Sequence, residues 1–456
     1  MATDAPARDL KRGISGRLLF FYVLGDVLGS GIYVLIGAVA AAVGGAFWLA
    51  FLIGVSVATL TGLAYAELVT KYPKAAGAAL YVSCAFGSPV LTFLVTVGML
   101  SASFAAAGSL ATGFAGYAGE IIPDVPPLLV SLAFVAVLAL VNFVGITESM
   151  VANLVMTVVE LSGLLIVVLV GLAVVVQGDA EPGRLVDFSA AEHPVLAVVG
   201  GVALGFFAMT GFENAVNVAE ETVDPRRTFP RALVLGMVGA GLCYVAVSVA
   251  AALSVPIPTL AASDAALVEV VETGVIPLPA GVITIGFALI AMTAISNTTL
   301  VTVVTQSRIL FGMAREDVVP GMFERLHATR RSPWVGLLFS AGVVGGLLVV
   351  GTLLTGVGID LVARLATVTV VLVLAVYALV ILSALRLRGH DETERSFRAP
   401  TPLLLVGLVG DLVLLAYVVY DDPASLLWCG ALVAIGVALY LVERVVGAGR
   451  PAREPD

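Results

Sequence analysis

Charged side chains are scarce in this sequence: Asp, Glu, Lys and Arg make up only 12% of its 456 residues. A soluble globular domain has about a quarter charged residues and roughly half apolar ones. Here apolar residues reach 60%, and the mean hydropathy is +1.09. The composition therefore excludes an ordinary soluble domain. The net charge of −9 gives no indication of a nucleic-acid partner.

Residues that ligate metals or form disulfides are also few. The three cysteines, Cys84, Cys243 and Cys429, lie far apart in or beside apolar segments, which predicts buried free thiols and no disulfide framework. The three histidines form no cluster in the sequence. No Gly-x-Ser-x-Gly nucleophile turn and no Walker phosphate loop occurs. We therefore expect neither an enzyme nor an ATP-driven pump, and no metal or other cofactor.

Long apolar runs, by contrast, are abundant. A run of about 20 apolar residues crosses the hydrocarbon core of a bilayer as a helix. No short apolar region with a small-residue cleavage site comes first, so we expect no removed signal peptide. The runs predict an all-α polytopic membrane protein with twelve transmembrane spans, numbered in order at 18–42, 46–69, 88–117, 127–146, 150–177, 194–219, 230–255, 276–306, 334–355, 360–385, 402–420 and 425–446.

The positions of Lys and Arg predict the orientation. All but two of the 23 basic residues lie in the terminal segments or in every second loop; the exceptions are Arg184 and Arg364. Basic loops stay in the cytoplasm. Both termini are therefore predicted to be cytoplasmic, which requires an even number of spans and agrees with twelve. We expect a multi-pass protein of the cytoplasmic (plasma) membrane, in contact with the lipid bilayer as a monomer or homodimer.

Two spans contain a glycine-centred polar interruption. Span 1 has GDVLGSG at 25–31, and span 6 has GFFAMTGFEN at 205–214. A broken helix exposes backbone donors and acceptors inside the membrane, where a solute can bind them. One such interruption is also typical of close helix packing. The second falls five spans after the first, where an inverted five-helix repeat would place it, so the pair favours a transporter.

Four motifs, in order along the chain, resemble those of the amino acid–polyamine–organocation (APC) superfamily. They are GSGIY at 29–33; Glu67 followed by Tyr72-Pro73, Gly77 and Tyr81; GFE at 211–213 followed by Glu220-Glu221, Asp224-Pro225-Arg226 and Pro230-Arg231; and Arg308 followed by Met313-Ala314-Arg315 and Pro320. The resemblance runs from about residue 13 to residue 446. It implies an amino acid transporter that works by alternating access.

The resemblance also implies the five-plus-five inverted-repeat fold of the leucine transporters, with helices 1 and 6 unwound at mid-membrane. The boundaries that follow are a cytoplasmic N-terminal segment at 1–17, a transport core at 18–386 with repeats at 18–177 and 194–386, peripheral helices 11 and 12 at 402–446, and a cytoplasmic tail at 447–456.

The resemblance places the substrate at the two interruptions. It implies that Ser30, Gly31 and Ile32 bind the carboxylate of the amino acid, because a helix that starts after a break presents unpaired N–H groups. It implies that the carbonyl groups of Val27, Phe207 and Thr210 bind the ammonium group and that the Phe207 ring covers the substrate. The apolar residues Phe207 and Met209 favour an apolar amino acid, and the small residues Ser103, Ala106 and Ala107 predict a roomy pocket.

Carboxylates within the spans are costly and therefore functional candidates. Asp26 stands where the related arginine/agmatine exchangers have a neutral amide. It is expected to pair with a cationic substrate group, a coupling cation or the unwound backbone, and the first option favours a cationic amino acid or a polyamine. Glu213 matches a superfamily glutamate that links proton binding to transport; structural pairing across the break is the alternative. Asp411 is expected to form a packing hydrogen bond or a dimer contact.

Glu160, in span 5, stands where proton-coupled relatives have a lysine. The opposite charge leaves three roles open: proton carrier, ligand of a coupling cation, or packing hydrogen bond. Ser296 and Asn297 lie where sodium-coupled relatives place hydroxyl ligands, so coupling to protons, sodium or exchange stays open. A substrate-gated sensor or channel is the alternative of another class, although no carbonyl filter motif is present. At the predicted cytoplasmic side, the cluster of Glu220-Glu221 and Arg226-Arg227 is expected to pair with residues 307–333 and close the inward path, and solvated loop charges are the alternative.

Overall fold

The computed structural model describes residues 13–74, 77–119, 121–122, 124–188, 193–263, 266–273, 279–315, 319–355, 361–390, 396–431, 433–434 and 437. Within these ranges the chain is helical, and its only β-type pairing is a single bridge between Ile14 and Thr222. The α-helices are α1 (Gly16–Val43), α2 (Trp48–Lys71), α3 (Gly77–Phe86), α4 (Pro89–Gly119), α5 (Pro127–Val144), α6 (Ile146–Gln177), α7 (Pro194–Phe206), α8 (Pro225–Ser254), α9 (Ile257–Ala262), α10 (Ala266–Val271), α11 (Ala280–Arg315), α12 (Trp334–Thr355), α13 (Leu361–Arg386) and α14 (Thr401–Asp421). The 3-10 helices are Gly45–Phe47, Pro182–Val186, Phe207–Met209, Phe212–Glu221 and Gly321–Glu324.

Ten segments of the described residues are long and apolar enough to cross a membrane, and the bent helix α1 is an eleventh. They coincide with the first eleven predicted spans; span 12, at 425–446, lies largely outside the described residues. Large apolar side chains such as Leu129 of α5, Val176 of α6 and Val409 of α14 are exposed on the outer faces, where they would meet lipid. The prediction of an all-α polytopic membrane protein is confirmed.

Both predicted interruptions are breaks in the helix. In α1, Gly29 has non-helical dihedrals (φ 14°, ψ −161°), and the parts Gly16–Tyr33 and Leu35–Val43 are bent by 63°. In span 6, α7 gives way to the 3-10 turn Phe207–Met209, and Gly211 has φ 123°, a value that favours glycine. Gly29 and Gly211 therefore interrupt the two helices, as the low helix propensity of glycine predicts.

The two broken segments pack against each other at the centre of the bundle. Helices α2, α6, α8, α11 and α13 pack against them, and α14 packs outside against α2, α7 and α13. A Cβ atom on Gly410 would come within 2.9 Å of Val57, so glycine lets α14 approach α2 closely. Asp411 of α14 accepts a hydrogen bond of 2.9 Å from the Thr61 hydroxyl of α2. The expected packing hydrogen bond of Asp411 is confirmed.

One end of the bundle, which we call the basic face, carries the basic loops. Here Glu67 of α2 is buried and forms an ion pair with Arg388 (3.1 Å) after α13; it also accepts the backbone N–H of Ala399 (2.9 Å) before α14. In the sequence, Glu67 stands out only as part of a motif. In the structure, its side chain joins α2 to the segment after α13 and to the segment before α14.

Two expectations about local structure are wrong. Cys84 is exposed rather than buried, because it lies on the outer side of the short helix α3, whereas Cys429 is buried and Cys243 half-buried. None of the three sulfur atoms forms a disulfide bond within the described residues. Helix α11 continues to Arg315, beyond the predicted end of span 8 at residue 306, because Arg308 is buried in an ion pair and does not end the helix.

Candidate substrate site between two broken helices

A small cavity of about 40 Å³ lies between the two helix breaks. Residues of both broken segments line it, together with residues of α4, α11 and α13. Its apolar wall includes Met99, Ala102, Ala106, Leu110, Ala208 and Val373, and its polar wall includes Ser103, Asn214, Thr298, Thr302 and Thr369.

Most of the predicted substrate-binding residues line this cavity: Asp26, Val27, Gly31, Phe207 and Thr210. Two of the predicted substrate-binding residues, Ile32 and Ser30, are not among the described residues that line it. Ile32 is fully buried in the packing around α1 and does not line the cavity. Ser30 belongs to α1, but its side chain lies outside the described part of the chain.

Glycine at position 31 lets the two broken segments touch. A Cβ atom there would overlap the Cα and Cβ atoms of Ala208 in the second break. A Cβ atom on Gly29 would overlap the hydroxyl group of Thr298 in α11. The cavity wall is therefore formed where backbone approaches backbone, and a larger residue at either position would push the wall apart.

Tyr244 of α8 contacts both breaks. Its hydroxyl group donates toward the carbonyl oxygens of Val27 and Leu28 in α1 (3.1 Å to Leu28) and of Ala208 after α7 (2.7 Å). A phenol has one proton, so it donates to one of these carbonyls at a time. Sequence reasoning missed Tyr244; its only signal is a hydroxyl-bearing ring in an otherwise apolar stretch of α8.

The carbonyl group of Phe207 is already engaged within the second break. It accepts the Thr210 hydroxyl at 2.8 Å and the Thr210 backbone N–H at 3.3 Å. Thr210 itself has extended dihedrals (φ −74°, ψ 161°), which end the 3-10 turn. These bonds fix the backbone of Phe207 and Thr210 beside the cavity.

Asp26 connects the first break to the second. Its Oδ2 atom accepts a hydrogen bond of 2.8 Å from the Asn214 side chain, and a Cβ atom on Gly211 would come within 2.9 Å of its carboxyl carbon. Asp26 is buried, and its Oδ1 atom has no hydrogen-bond partner among the described residues. One carboxylate oxygen therefore pairs across the breaks, and the other is buried without a hydrogen-bond partner among the described residues.

Glu213 connects the second break to α13. Its Oε2 atom accepts the backbone N–H of Gly211 at 2.8 Å and the hydroxyl group of Tyr377 at 2.6 Å. Glu213 also lines the cavity. The Glu213 side chain thus pairs with the backbone of the second break and with α13, and it lies beside the cavity.

Glu160 and Asn297 come together in a buried polar cluster that does not line the cavity. The Asn297 amide donates to Glu160 Oε2 at 3.4 Å and to the Thr157 hydroxyl at 2.9 Å, and Asn153 donates to Asn297 Oδ1 at 2.7 Å. Glu160 Oε1 has no partner among the described residues. Ser296 is not part of the cluster, because its hydroxyl group donates to the Met292 carbonyl of its own helix at 2.7 Å.

The Glu160 cluster is nevertheless connected to the first break. A Cβ atom on Gly25 of α1 would overlap the Thr157 hydroxyl and lie 2.6 Å from the Asn297 amide nitrogen. The Tyr33 hydroxyl, beyond the break, donates to the Glu160 carbonyl at 2.9 Å. The cluster and the Glu160 backbone thus contact α1 on both sides of Gly29, at Gly25 and at Tyr33.

A buried ion pair lies on the basic face, at the end of the second broken segment. Arg308 of α11 contacts both carboxylate oxygens of Glu221 at 3.3 Å, and its side chain is 1% exposed. Glu221 also accepts the backbone N–H groups of Gly13 (2.9 Å) and Ile14 (3.0 Å) through its carbonyl oxygen. Arg315 pairs with Glu220 at 3.1 Å nearer the surface. The predicted pairing is confirmed for Glu220 and Glu221, whereas Arg226 and Arg227 form no ion pair with the described residues of 307–333.

The sequence model of the amino acid permease family matches residues 14–439, which is most of the chain. The chain belongs to the amino acid permease family. This membership confirms the resemblance to the APC superfamily that the four motifs indicated. Together with the ten or eleven apolar helices, it identifies this family member as a multi-pass membrane transporter.

The sequences of individual relatives align with most of this chain. It is 25% identical over 429 residues to the branched-chain amino acid permease BcaP of Bacillus subtilis (strain 168), which is 90% of this chain and 88% of the relative. It is 30% identical over 438 residues to the uncharacterized transporter Rv1999c of Mycobacterium tuberculosis (strain ATCC 25618 / H37Rv), covering 95% and 91%. It is 28% identical over 328 residues to the chloroplastic cationic amino acid transporter 9 of Arabidopsis thaliana, covering 67% and 56%.

Proposed function

We propose that this family member is a secondary active transporter that moves an amino acid across the cytoplasmic membrane by alternating access. The observation that carries the proposal is the cavity enclosed between two helix breaks. Its floor consists of backbone groups of both breaks, which suit the charged ends of a zwitterion. Its wall of Met99, Ala106, Leu110 and Val373 suits an apolar side chain.

Within this proposal the amino acid lies along the first break. Its carboxylate binds the backbone N–H groups at Ser30 and Gly31 but not that of Ile32, which does not line the cavity, and its ammonium group binds carbonyl oxygens of Val27, Phe207 and Thr210. Two observations support the placement: Val27, Gly31, Phe207 and Thr210 line one cavity, and Gly31 brings the two breaks into contact. Phe207 then covers the bound amino acid.

The overall architecture in the proposal is twelve helices, with the repeats at 18–177 and 194–386 related by an inverted symmetry and both termini in the cytoplasm. Support comes from the breaks, which fall in the first helix of each half, and from the basic face, where the ends of α2, α11 and α13 meet. Alternating access would open and close this face at the Arg308–Glu221 pair.

We further propose that Glu160 couples transport to a proton or a cation. Support comes from its burial, from the unpaired Oε1 atom, and from the contact of its cluster with Gly25 and Tyr33 of α1. Occupation of Oε1 would change the packing of Asn297 and Thr157 against the part of α1 before the break. That change is the physical link between the coupling ion and the substrate site.

A cationic amino acid or a polyamine is the second candidate substrate. The specific observation in its favour is the unpaired Oδ1 atom of Asp26 at the cavity wall. The variant Asp26→Asn separates the two candidates. It keeps the hydrogen bond to the Asn214 side chain within reach but removes the negative charge. Binding of leucine should survive the change, whereas a loss confined to arginine and polyamines would support the cationic candidate.

A binding screen with purified protein tests the proposal. Thermal stability is measured with each amino acid at two pH values, with and without sodium. A ligand at a hundred times its dissociation constant stabilises by about 2.7 kcal/mol, so a small group of apolar amino acids should raise the melting temperature. The proposal fails if no amino acid stabilises the protein, or if all of them stabilise a Gly31→Ala variant equally well.

A further inference from the structure

A second cavity opens on the basic face, apart from the substrate cavity. Three arginines of the first turns of α8, Arg226, Arg227 and Arg231, line one side. Ser396 and Phe397, from the segment that precedes α14, line the other. The cavity is thus a cleft between two chain segments that are far apart in the sequence.

Among the described residues, the side chains of the three arginines of this cleft form no ion pair and no hydrogen bond. Elsewhere on the basic face, Arg308 and Arg388 each pair with a buried glutamate. Asp224 is the one acidic residue among the described residues that line the cleft, and it forms no ion pair with the arginines within 4.0 Å. The described lining therefore carries an excess of positive charge, which favours an anionic occupant.

An apolar stripe continues from the arginines along α8. Leu235, Val238 and Leu242 follow Arg231 at intervals of four, seven and eleven residues, which places all four on one face of the helix. The three apolar side chains are 59%, 47% and 69% exposed, so this face is directed outward into the bilayer region. The arginines therefore lie where a phospholipid would place its headgroup phosphate, and the exposed apolar stripe lies where it would place an acyl chain.

We propose that the cleft binds the phosphate group of an anionic phospholipid, with an acyl chain along Leu235, Val238 and Leu242. Arginine suits phosphate because its planar guanidinium group donates two parallel hydrogen bonds to phosphate oxygens. Basic residues that meet at the membrane surface attract anionic lipids. A free inorganic phosphate ion would use the same arginines but not the apolar stripe.

The bound lipid connects α8 to the segment before α14. Phe397 donates its backbone N–H to the Thr70 hydroxyl of α2 at 3.0 Å, and α2 packs along α8. The lipid phosphate would therefore fill the gap between two elements that α2 already holds near each other. We expect anionic lipid to stabilise this corner of the protein, whatever solute it transports.

The experiment measures lipid binding to the full-length purified protein, without any transport assay. Phosphatidylglycerol, phosphatidylcholine and inorganic phosphate are added separately, and both the melting temperature and lipid retained in native mass spectrometry are recorded. Phosphatidylglycerol should raise the melting temperature and remain bound, whereas the other two should not. Loss of one arginine should weaken binding about fivefold, and Arg227→Gln with Arg231→Gln about thirtyfold.

Arg325→Gln is the matched control, because Arg325 is also an exposed arginine of the basic face but lies outside the cleft. It should leave phosphatidylglycerol binding unchanged, and Arg231→Lys should retain most of it. The proposal is overturned if Arg325→Gln weakens binding as much as Arg231→Gln, since general surface charge would then explain the effect. It is equally overturned if the double variant binds normally, or if inorganic phosphate stabilises the protein as well as the lipid does.

Discussion

Tyr244 is the residue that links the backbones of both helix breaks. Replacing it with phenylalanine removes the hydroxyl group but keeps the ring, which packs 5.7 Å from the Phe51 ring. Buried carbonyl groups of Val27 and Ala208 then lose a donor, at a cost of about 1–3 kcal/mol. We expect Tyr244→Phe to weaken amino acid binding about 5- to 150-fold, measured by titration of the stabilising ligand.

Tyr81→Phe is the control for this prediction. Tyr81 is also a buried tyrosine, but its hydroxyl oxygen has no hydrogen-bond partner among the described residues. Its removal should leave ligand binding unchanged. If both variants weaken binding to the same extent, the hydroxyl group of Tyr244 has no special role at the breaks.

Gly31 tests the contact between the breaks directly. An alanine Cβ atom there would overlap Ala208, so the two segments would have to separate. Overpacking of this kind costs about 1–3 kcal/mol, and the cavity floor would lose its geometry. We expect Gly31→Ala to abolish measurable amino acid binding. Gly286→Ala on α11, where a Cβ atom meets nothing within 4 Å, should bind normally.

At the residue scale, the sequence predicted the members of the cavity that lie in the glycine-rich interruptions. Val27, Gly31, Phe207 and Thr210 were found because the breaks and the motifs mark them. Tyr244 was not found, because a single tyrosine in an apolar helix carries no local pattern. Ser296 was expected beside Glu160, but a side chain that bonds to its own helix turn cannot be recognised from spacing.

At the scale of elements, the Arg308–Glu221 pair joins α11 to the end of the second broken segment. Removing one partner of a buried pair leaves an uncompensated charge and costs about 3–5 kcal/mol. We expect Glu221→Gln to lower the free energy of unfolding by that amount. The double variant Glu221→Gln/Arg308→Met should recover part of it, because no buried charge is left.

The Arg315–Glu220 pair offers the control on the same elements. Arg315 is 39% exposed at its side chain, and a partly solvated pair contributes about 0–1 kcal/mol. Glu220→Gln should therefore change stability little. Equal losses from Glu220→Gln and Glu221→Gln would contradict the view that the buried pair closes the basic face.

Helix positions were predictable where the apolar run is as long as the bilayer is thick. The short helix α3 was not predicted, because its ten residues are too few to span and its buried side chains, such as Tyr81, pack on protein rather than lipid. The end of α11 was predicted too early for a related reason. Hydropathy treats Arg308 as an exposed charge that ends the helix, whereas the ion pair with Glu221 offsets the cost of burying the Arg308 side chain.

At the scale of the whole molecule, Glu160 is the proposed link between ion coupling and transport. Glutamine at this position can keep the contact with Asn297 but cannot exchange a proton or carry a charge. We expect Glu160→Gln to retain exchange of amino acid for amino acid and to lose accumulation driven by a pH or sodium gradient. The measurement is uptake into proteoliposomes with and without each gradient; unchanged accumulation would remove Glu160 from the coupling mechanism.

The central claim is that the cavity between the breaks carries an amino acid across the membrane by alternating access. Counterflow in proteoliposomes tests it most directly: uptake of labelled leucine is measured with unlabelled leucine inside the vesicles, for the wild-type protein and for Gly31→Ala. We predict saturable uptake that the internal leucine accelerates, and none with Gly31→Ala. Non-saturable flux, or uptake indifferent to the internal amino acid, would contradict the account.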